Sequence, residues 1–166
     1  VILSGADYHH SETLLDQKYR AYSEKYWDKR TFAPSSLLFY VGFDKKIENV
    51  EHHSLFFDVD FDVHASAIYD NPKWPENPLF YASFPSKTDE NSAPKGQEAG
   101  IFLIPLAPGL EDTPALREEY FNKIITRFEK LTQQSVQKNI IFHESFCVND
   151  FIKDYNSYMA AISEKT

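Results

Sequence analysis

Residues 36–42, Ser-Leu-Leu-Phe-Tyr-Val-Gly, decide how the rest of the chain is read. An apolar run rich in aromatic and β-branched residues, too short for a buried helix and closed by glycine, reads as a core strand. Outward from it, Ser54–Phe57, Leu79–Phe84 and Ile101–Leu106 repeat that character, and Asn139–Phe142, extending toward Ser145, makes a fifth. Helical patterns lie around these runs. Residues 11–30 place Leu15, Tyr19, Tyr22 and Tyr26 at helical spacing, with Ser11 as cap and Ala33-Pro34 as stop. Asp60 caps a helix whose apolar positions are Phe61, His64, Ala65 and Ile68. Thr113-Pro114 sets a capping residue before proline at the first helical position. The helix it opens carries Leu116, Tyr120, Phe121, Ile124, Phe128 and Leu131 on one face. Asp150–Ala161 forms a last amphipathic helix with Phe151, Tyr155 and Tyr158 on one side. Pro72, Pro75 and Pro78 exclude regular structure from Asn71–Pro78, and Pro85–Gly100 is a long polar connection of the mobile or functional kind. The sum is an α+β fold, a mixed, largely antiparallel sheet of about five strands covered by three or four helices.

The first residues, Val1-Ile2-Leu3, read as a strand that stops at Ser4-Gly5-Ala6-Asp7 with no partner before it. The expectation is that residues 1–7 are a remnant strand leaving another domain, frayed or borrowed by a neighbour, and that residues 8–166 form one domain. The 166 residues hold 14 Phe, 10 Tyr and 2 Trp with a mean hydropathy of -0.47, the mixture of a globular domain with bulky aromatic walls. A formal charge of -8 offers no basic stripe for phosphates and argues against nucleic acid. No apolar stretch approaches the roughly 20 residues that span a bilayer, although apolar contact with a membrane surface stays open. The one cysteine, Cys147, excludes an internal disulfide and fits a reducing cytoplasm.

No two of the five glycines form Gly-x-Gly, so neither the dinucleotide loop nor the nucleotide-triphosphate loop is present, and no Gly-x-Ser-x-Gly elbow appears. His9-His10 and His52-His53 are adjacent pairs. Extended neighbours point to opposite sides, so each pair offers at most one ligand and a metal site is not expected. His64 reads as a satisfied core histidine, and Cys147, with no Lys or Arg beside it, as a buried structural thiol. Asp58, Asp60 and Asp62 lack the glycine and closing glutamate of a calcium loop and read as capping and solvated groups. Phe39, Phe56, Phe57, Phe80, Tyr81 and Phe102 either fill an ordinary core or line a long apolar cavity, and composition does not separate the two.

Nine segments in order carry a resemblance. They are Ala6-Asp7-Tyr8-His9-His10, Ala33-Pro34-Ser35 into Leu38-Phe39-Tyr40, His52-His53-Ser54-Leu55-Phe56-Phe57, and Ile68-Tyr69 with Pro72-Lys73-Trp74-Pro75. Pro85-Ser86-Lys87-Thr88-Asp89, Ala93-Pro94-Lys95-Gly96 and Pro105-Leu106-Ala107-Pro108-Gly109 follow, then Arg117-Glu118 with Tyr120-Phe121, and Asp150-Phe151 with Asp154-Tyr155-Asn156. Together these resemble the middle portion of carotenoid desaturases of the phytoene-dehydrogenase type, within the flavin amine oxidase-like superfamily. The resemblance implies a substrate-binding domain of an FAD-dependent oxidoreductase acting on the CH–CH bonds of an apolar polyene. It implies an FAD domain elsewhere in the parent protein, with no flavin held by this chain and no activity of the chain alone. It further implies a cytoplasmic protein that can be peripheral to the membrane. Phe39, Phe56, Phe80 and Phe102, with His52 and His53, are the expected substrate contacts. Asp7 is the expected cofactor contact, made only with the FAD domain present, and no residue is assigned a catalytic role. The alternative is a non-enzymatic module that binds an apolar ligand: a closed internal cavity would mark such a carrier, an open groove a docking surface.

Overall fold

Five strands assemble into one sheet, with burial alternating strictly along β2 and β4. The computed structural model describes residues 1–160, in which β1 (Ser35–Phe43), β2 (His53–Phe56), β3 (Phe80–Ser83), β4 (Glu98–Leu106) and β5 (Ile140–Phe146) lie in the order β2-β3-β4-β1-β5. Every neighbouring pair is antiparallel, so the sheet is not mixed. The two nine-residue strands β4 and β1 pair along their whole length, from Ser35 opposite Leu106 to Phe43 opposite Glu98, and form its spine.

The described residues also form five α-helices: α1 (Tyr8–Thr13), α2 (Glu24–Trp27), α3 (Phe61–Tyr69), α4 (Pro114–Thr132) and α5 (Val148–Tyr155). The expected cap of α4 is present, since Thr113 Oγ1 accepts the Leu116 N–H at 3.2 Å. Its apolar stripe lies on the sheet. Phe121 packs on Phe39 with ring centroids 5.0 Å apart, and Phe128 reaches Phe102 at 5.3 Å and Phe56 at 5.5 Å. Leu37, Val41, Phe43, Phe80, Ile104 and Leu106 complete the core on that side. Fully burying one such side chain is worth about 1.5–3 kcal/mol, so this layer supplies most of the stability. Leu131 is exposed, because the buried stripe runs from Phe128 to Thr132, one position on.

The predicted helix over residues 11–30 does not form as one piece. α1, capped by Asp7 rather than begun at Ser11, ends at Thr13, a single 3₁₀ turn covers Gln17–Tyr19, and α2 covers four residues. Glu12 is the cause. Its buried carboxylate accepts the N–H groups of Ala21 at 2.7 Å and Tyr22 at 3.2 Å, while Arg20 donates to the carbonyls of Thr13 and Leu15. Those carbonyls would otherwise accept helical bonds. Leu15 and Tyr19 are consequently exposed, whereas Tyr22 and Tyr26 stack at 4.0 Å and set their edges on the buried Trp27. In α3 the Asp60 cap is present, but Phe61 is exposed and Ala67 is buried with His64 and Ile68. α5 stops at Tyr155 because Asn156 takes the left-handed conformation at φ 54°; the expected end of that helix, Ala161, lies outside the described residues. Residues Val1–Leu3 enter no strand and are exposed. The connection after Pro85 ends at Glu98, earlier than Gly100. It is tied down by Ser86, which donates to the buried Glu98 carboxylate and accepts the Ala99 N–H at 3.2 Å.

Candidate functional site: the open face of the sheet

Side chains alternate across a strand, and cross-strand partners share a face. The register therefore sorts every residue of the sheet. Phe39, Phe56, Phe80 and Phe102 all lie on the face that α4 covers. The opposite face carries the row Leu55, Tyr81, Leu103, Leu38 and Phe146, one residue from each strand. Five strands spaced by roughly 4.8 Å make this row about 19 Å long. A second row runs His53, Ser83, Ile101, Tyr40 and Glu144, and in a third the Phe142 ring lies over Gly42 so closely that no Cβ fits there.

Among the described residues no helix lies along the middle of this face. Leu55 is 66% exposed, Phe142 56% and Tyr40 43%. The end near Ser36 is closed, where Ser36 is buried and the Phe151 ring meets Phe146 edge-on at 4.8 Å, and Ser83 in the second row is buried as well. A contiguous apolar surface left open on a half-covered sheet is the usual mark of an interaction or ligand site.

The expected substrate contacts fall differently. Phe39, Phe80 and Phe102 are buried, and Phe56 stacks on Phe80 at 4.6 Å, so these four rings form the sheet's packed side rather than a cavity wall. The reason is a one-residue matter of parity: Tyr40, Tyr81, Ile101 and Leu103, their strand neighbours, hold the open face. His53 does lie on that face, where its Nδ1 meets the Tyr81 hydroxyl at 2.5 Å. His52 precedes the strand in a bend, which frees it from alternation. Its ring stacks on His53 at 4.2 Å instead of pointing away, and its Nδ1 meets Thr88 Oγ1 at 2.7 Å. Of the six aromatic residues that the sequence offered as core or cavity wall, Tyr81 is one that lies on the open face; Tyr40, Leu103 and Phe142 are the site residues the sequence reading passed over, and their signal was their alternation with Phe39, Phe102 and the residues flanking Phe142.

Asp7 is engaged within the chain. One carboxylate oxygen accepts the His10 N–H at 2.9 Å and the other the Tyr158 N–H at 3.2 Å, and nearby the Gly109 N–H reaches the Met159 carbonyl at 2.8 Å. Residues 7 and 158 thus meet at one corner. His9 bonds Glu24 at 2.9 Å beside Trp27. His64 is the satisfied core histidine expected: Leu79 N–H donates to Nδ1 and Nε2 donates to the Pro105 carbonyl, each at 2.9 Å, and burial lowers its pKa. Cys147 is buried, and that burial pushes its thiol up to about 12. Beside it Arg117 forks onto Asp112, with both bonds at 2.6 Å, and reaches Asp150 at 2.7 Å. Among the described residues no three His, Cys, Asp or Glu side chains gather as metal ligands, and no helix is long and apolar enough to cross a membrane. Nor do the described residues fit a dinucleotide. An antiparallel sheet lacks the βαβ crossover that aims a helix N-terminus at a pyrophosphate, and no glycine pair replaces it.

No family model matches the chain. Individual relatives do, and they bear out the resemblance to carotenoid desaturases. Carotenoid 3,4-desaturase of Haloarcula japonica is 39% identical over 157 residues, 94% of this chain and 32% of that protein. 4,4'-Diaponeurosporene oxygenase of Staphylococcus aureus strain RF122 is 29% identical over 139 residues, 81% of this chain and 28% of that protein, and the same enzyme of strain USA300 is 28% identical over the same length. The chain therefore spans about a third of the length of the curated relatives it matches.

Proposed function

We propose that this chain, a segment similar to carotenoid desaturases, is the substrate-binding part of a carotenoid-modifying oxidoreductase and holds an apolar polyene on the open face of its sheet. The observation that carries this reading is the row Leu55–Tyr81–Leu103–Leu38–Phe146, an apolar strip crossing all five strands with no helix among the described residues above its middle. A polyene has almost no hydrogen-bonding groups, so it is recognised by shape and by apolar area removed from water. A flat strip on a rigid sheet meets that demand, and α4 supplies the rigidity from behind. The relatives' names, a carotenoid desaturase and a diaponeurosporene oxygenase, support a carotenoid-type substrate.

The remainder of the longer protein would close the open face and hold the flavin, since this chain's own residues do not fit one. The meeting of residues 7 and 158 at one corner supports such a modular arrangement, because a unit set into another domain must begin and end close together. An open face rather than an enclosed chamber also favours a docked substrate domain over a free-standing carrier. Bound substrate contacts would be Tyr40, Leu55, Tyr81, Leu103 and Phe142, with His53 at the rim. His52 is held back against Thr88.

The full-length protein should copurify with flavin and dehydrogenate a polyene, and the 166-residue chain alone should show neither flavin absorbance nor turnover. In detergent the chain should bind a polyene, and Leu103→Lys should abolish binding without unfolding it. Stoichiometric flavin in the isolated chain, or polyene binding untouched by Leu103→Lys, would overturn the assignment.

A further inference from the structure

The two edges of the sheet are finished differently. β2 is four residues long, and so short an edge offers little to a partner. β5 runs for seven, Ile140–Phe146, and among the described residues no strand lies outside it. From this edge we infer that in the parent protein a sixth strand, supplied by the part outside these 166 residues, pairs with β5 and continues the sheet. The inference goes beyond the polyene reading and does not depend on it.

The outer backbone of β5 is bare. Alternate residues of an edge strand turn an N–H and a C=O outward. Beyond the ladder to β1, the backbone of residues 141–146 takes one hydrogen bond among the described residues, from Arg117 Nη1 to the Ser145 carbonyl at 3.5 Å. Nor do side chains screen that backbone. Phe142 folds its ring inward over Gly42, while His143 stacks on Phe121 at 3.8 Å and bonds Glu118. β5 holds no Lys or Pro, the residues that guard free edges, and its one irregularity, where the register with β1 passes over Ile141, leaves Phe142–Phe146 regular. The occupant is close at hand. This chain is 32% of the length of the Haloarcula relative, so most of the parent lies elsewhere. Residues 7 and 158, through which that remainder connects, meet one short helix from β5, since α5 has eight residues and is about 12 Å long. A strand tethered there reaches an effective concentration in the mM range, which a second copy of the chain does not. Its side chains would be apolar beside Phe142 and Phe146, with a cation or hydroxyl beside Glu144. It would lengthen the open row by one strand spacing, about 5 Å.

The test is amide hydrogen exchange at single-residue resolution on the full-length parent protein, with no polyene added. The inward amides of Phe142–Phe146 bond β1 and serve as the internal standard. The outward amides of the same five residues should exchange within about tenfold of them, and equally so at about 1 and about 100 µM protein. A bare edge would instead leave the outward amides about 1,000-fold faster than the inward ones. Any outward amide of this stretch that exceeds the tenfold limit overturns the sixth strand, because a paired strand protects all of them. Protection that disappears on dilution assigns the edge to a second copy and overturns the tethered strand equally. Neither result touches the open face as the polyene site, which is read from binding and not from exchange at this edge.

Discussion

Phe39 and Tyr40 are consecutive residues of the central strand, and truncating each to alanine separates the two faces of the sheet. Phe39 is 1% exposed and its ring lies 5.0 Å from that of Phe121 on α4. Phe39→Ala removes a whole ring from a packed layer, and such changes cost about 3–5 kcal/mol once the cavity is counted. At roughly 2–4 °C per kcal/mol for a chain of this length, the melting temperature should fall by about 6–20 °C. Tyr40 is 43% exposed on the open face, so Tyr40→Ala loses partial burial and strand preference only, about 1 kcal/mol or less, and the melt should move by no more than a few degrees. Circular dichroism melts of the three proteins give both numbers, and a urea series gives them again through the transition midpoint. The polyene affinities should reverse the order, with Tyr40→Ala binding poorly and Phe39→Ala, while folded, binding near normally. Similar melting losses for the two variants would mean that the sheet is covered on both sides and that the assignment of faces is wrong.

Arg117 bridges two carboxylates beside the core, and Asp112, its main partner, has no exposed side-chain surface. Arg117→Met should destabilise the chain by about 3 kcal/mol, and adding Asp112→Asn should recover part of that, because the loss comes from a buried carboxylate left without its cation. Burial by itself would raise the Asp112 pKa, but the Arg117 hydrogen bonds and the Asn149 N–H outweigh it and hold it below the usual range. Its stabilisation is therefore complete above about pH 4 and lost as pH falls through the depressed value; in Arg117→Met, acid unfolding should begin at higher pH. Cys147, with a thiol pushed up to about 12 by burial, should resist iodoacetamide at pH 8 in the folded chain and react fully in urea. Rapid labelling without denaturant would show that the β5–α5 junction opens.

Much of this was legible in local pattern. Residues 36–42 and their four repeats marked all five strands, because aromatic and β-branched runs bounded by turn residues have few other outlets. Thr113-Pro114 marked the start of α4 for an equally local reason. His64 was readable as core from its place on an apolar helix face and Cys147 from the lack of a cation beside it in sequence, although the fold then brings Arg117 next to that thiol. Residues 11–30 were not, since the carboxylate of Glu12, reaching Ala21 and Tyr22 nine and ten residues on, outcompetes a helical spacing that holds in isolation.

The amino-acid sequence by itself determined the element types, the aromatic wealth of the strands and the likeness to carotenoid desaturases, all of which reside in residue identity and short-range order. Tertiary structure alone decided which side of each strand faces α4. Alternation has period two, so a strand such as Leu38-Phe39-Tyr40 is apolar on both sides, and only docking of a helix says which side is core. That choice moved the candidate site from Phe39, Phe80 and Phe102 to Tyr40, Tyr81 and Leu103, and it set Tyr81 beside His53, 28 residues away in the chain.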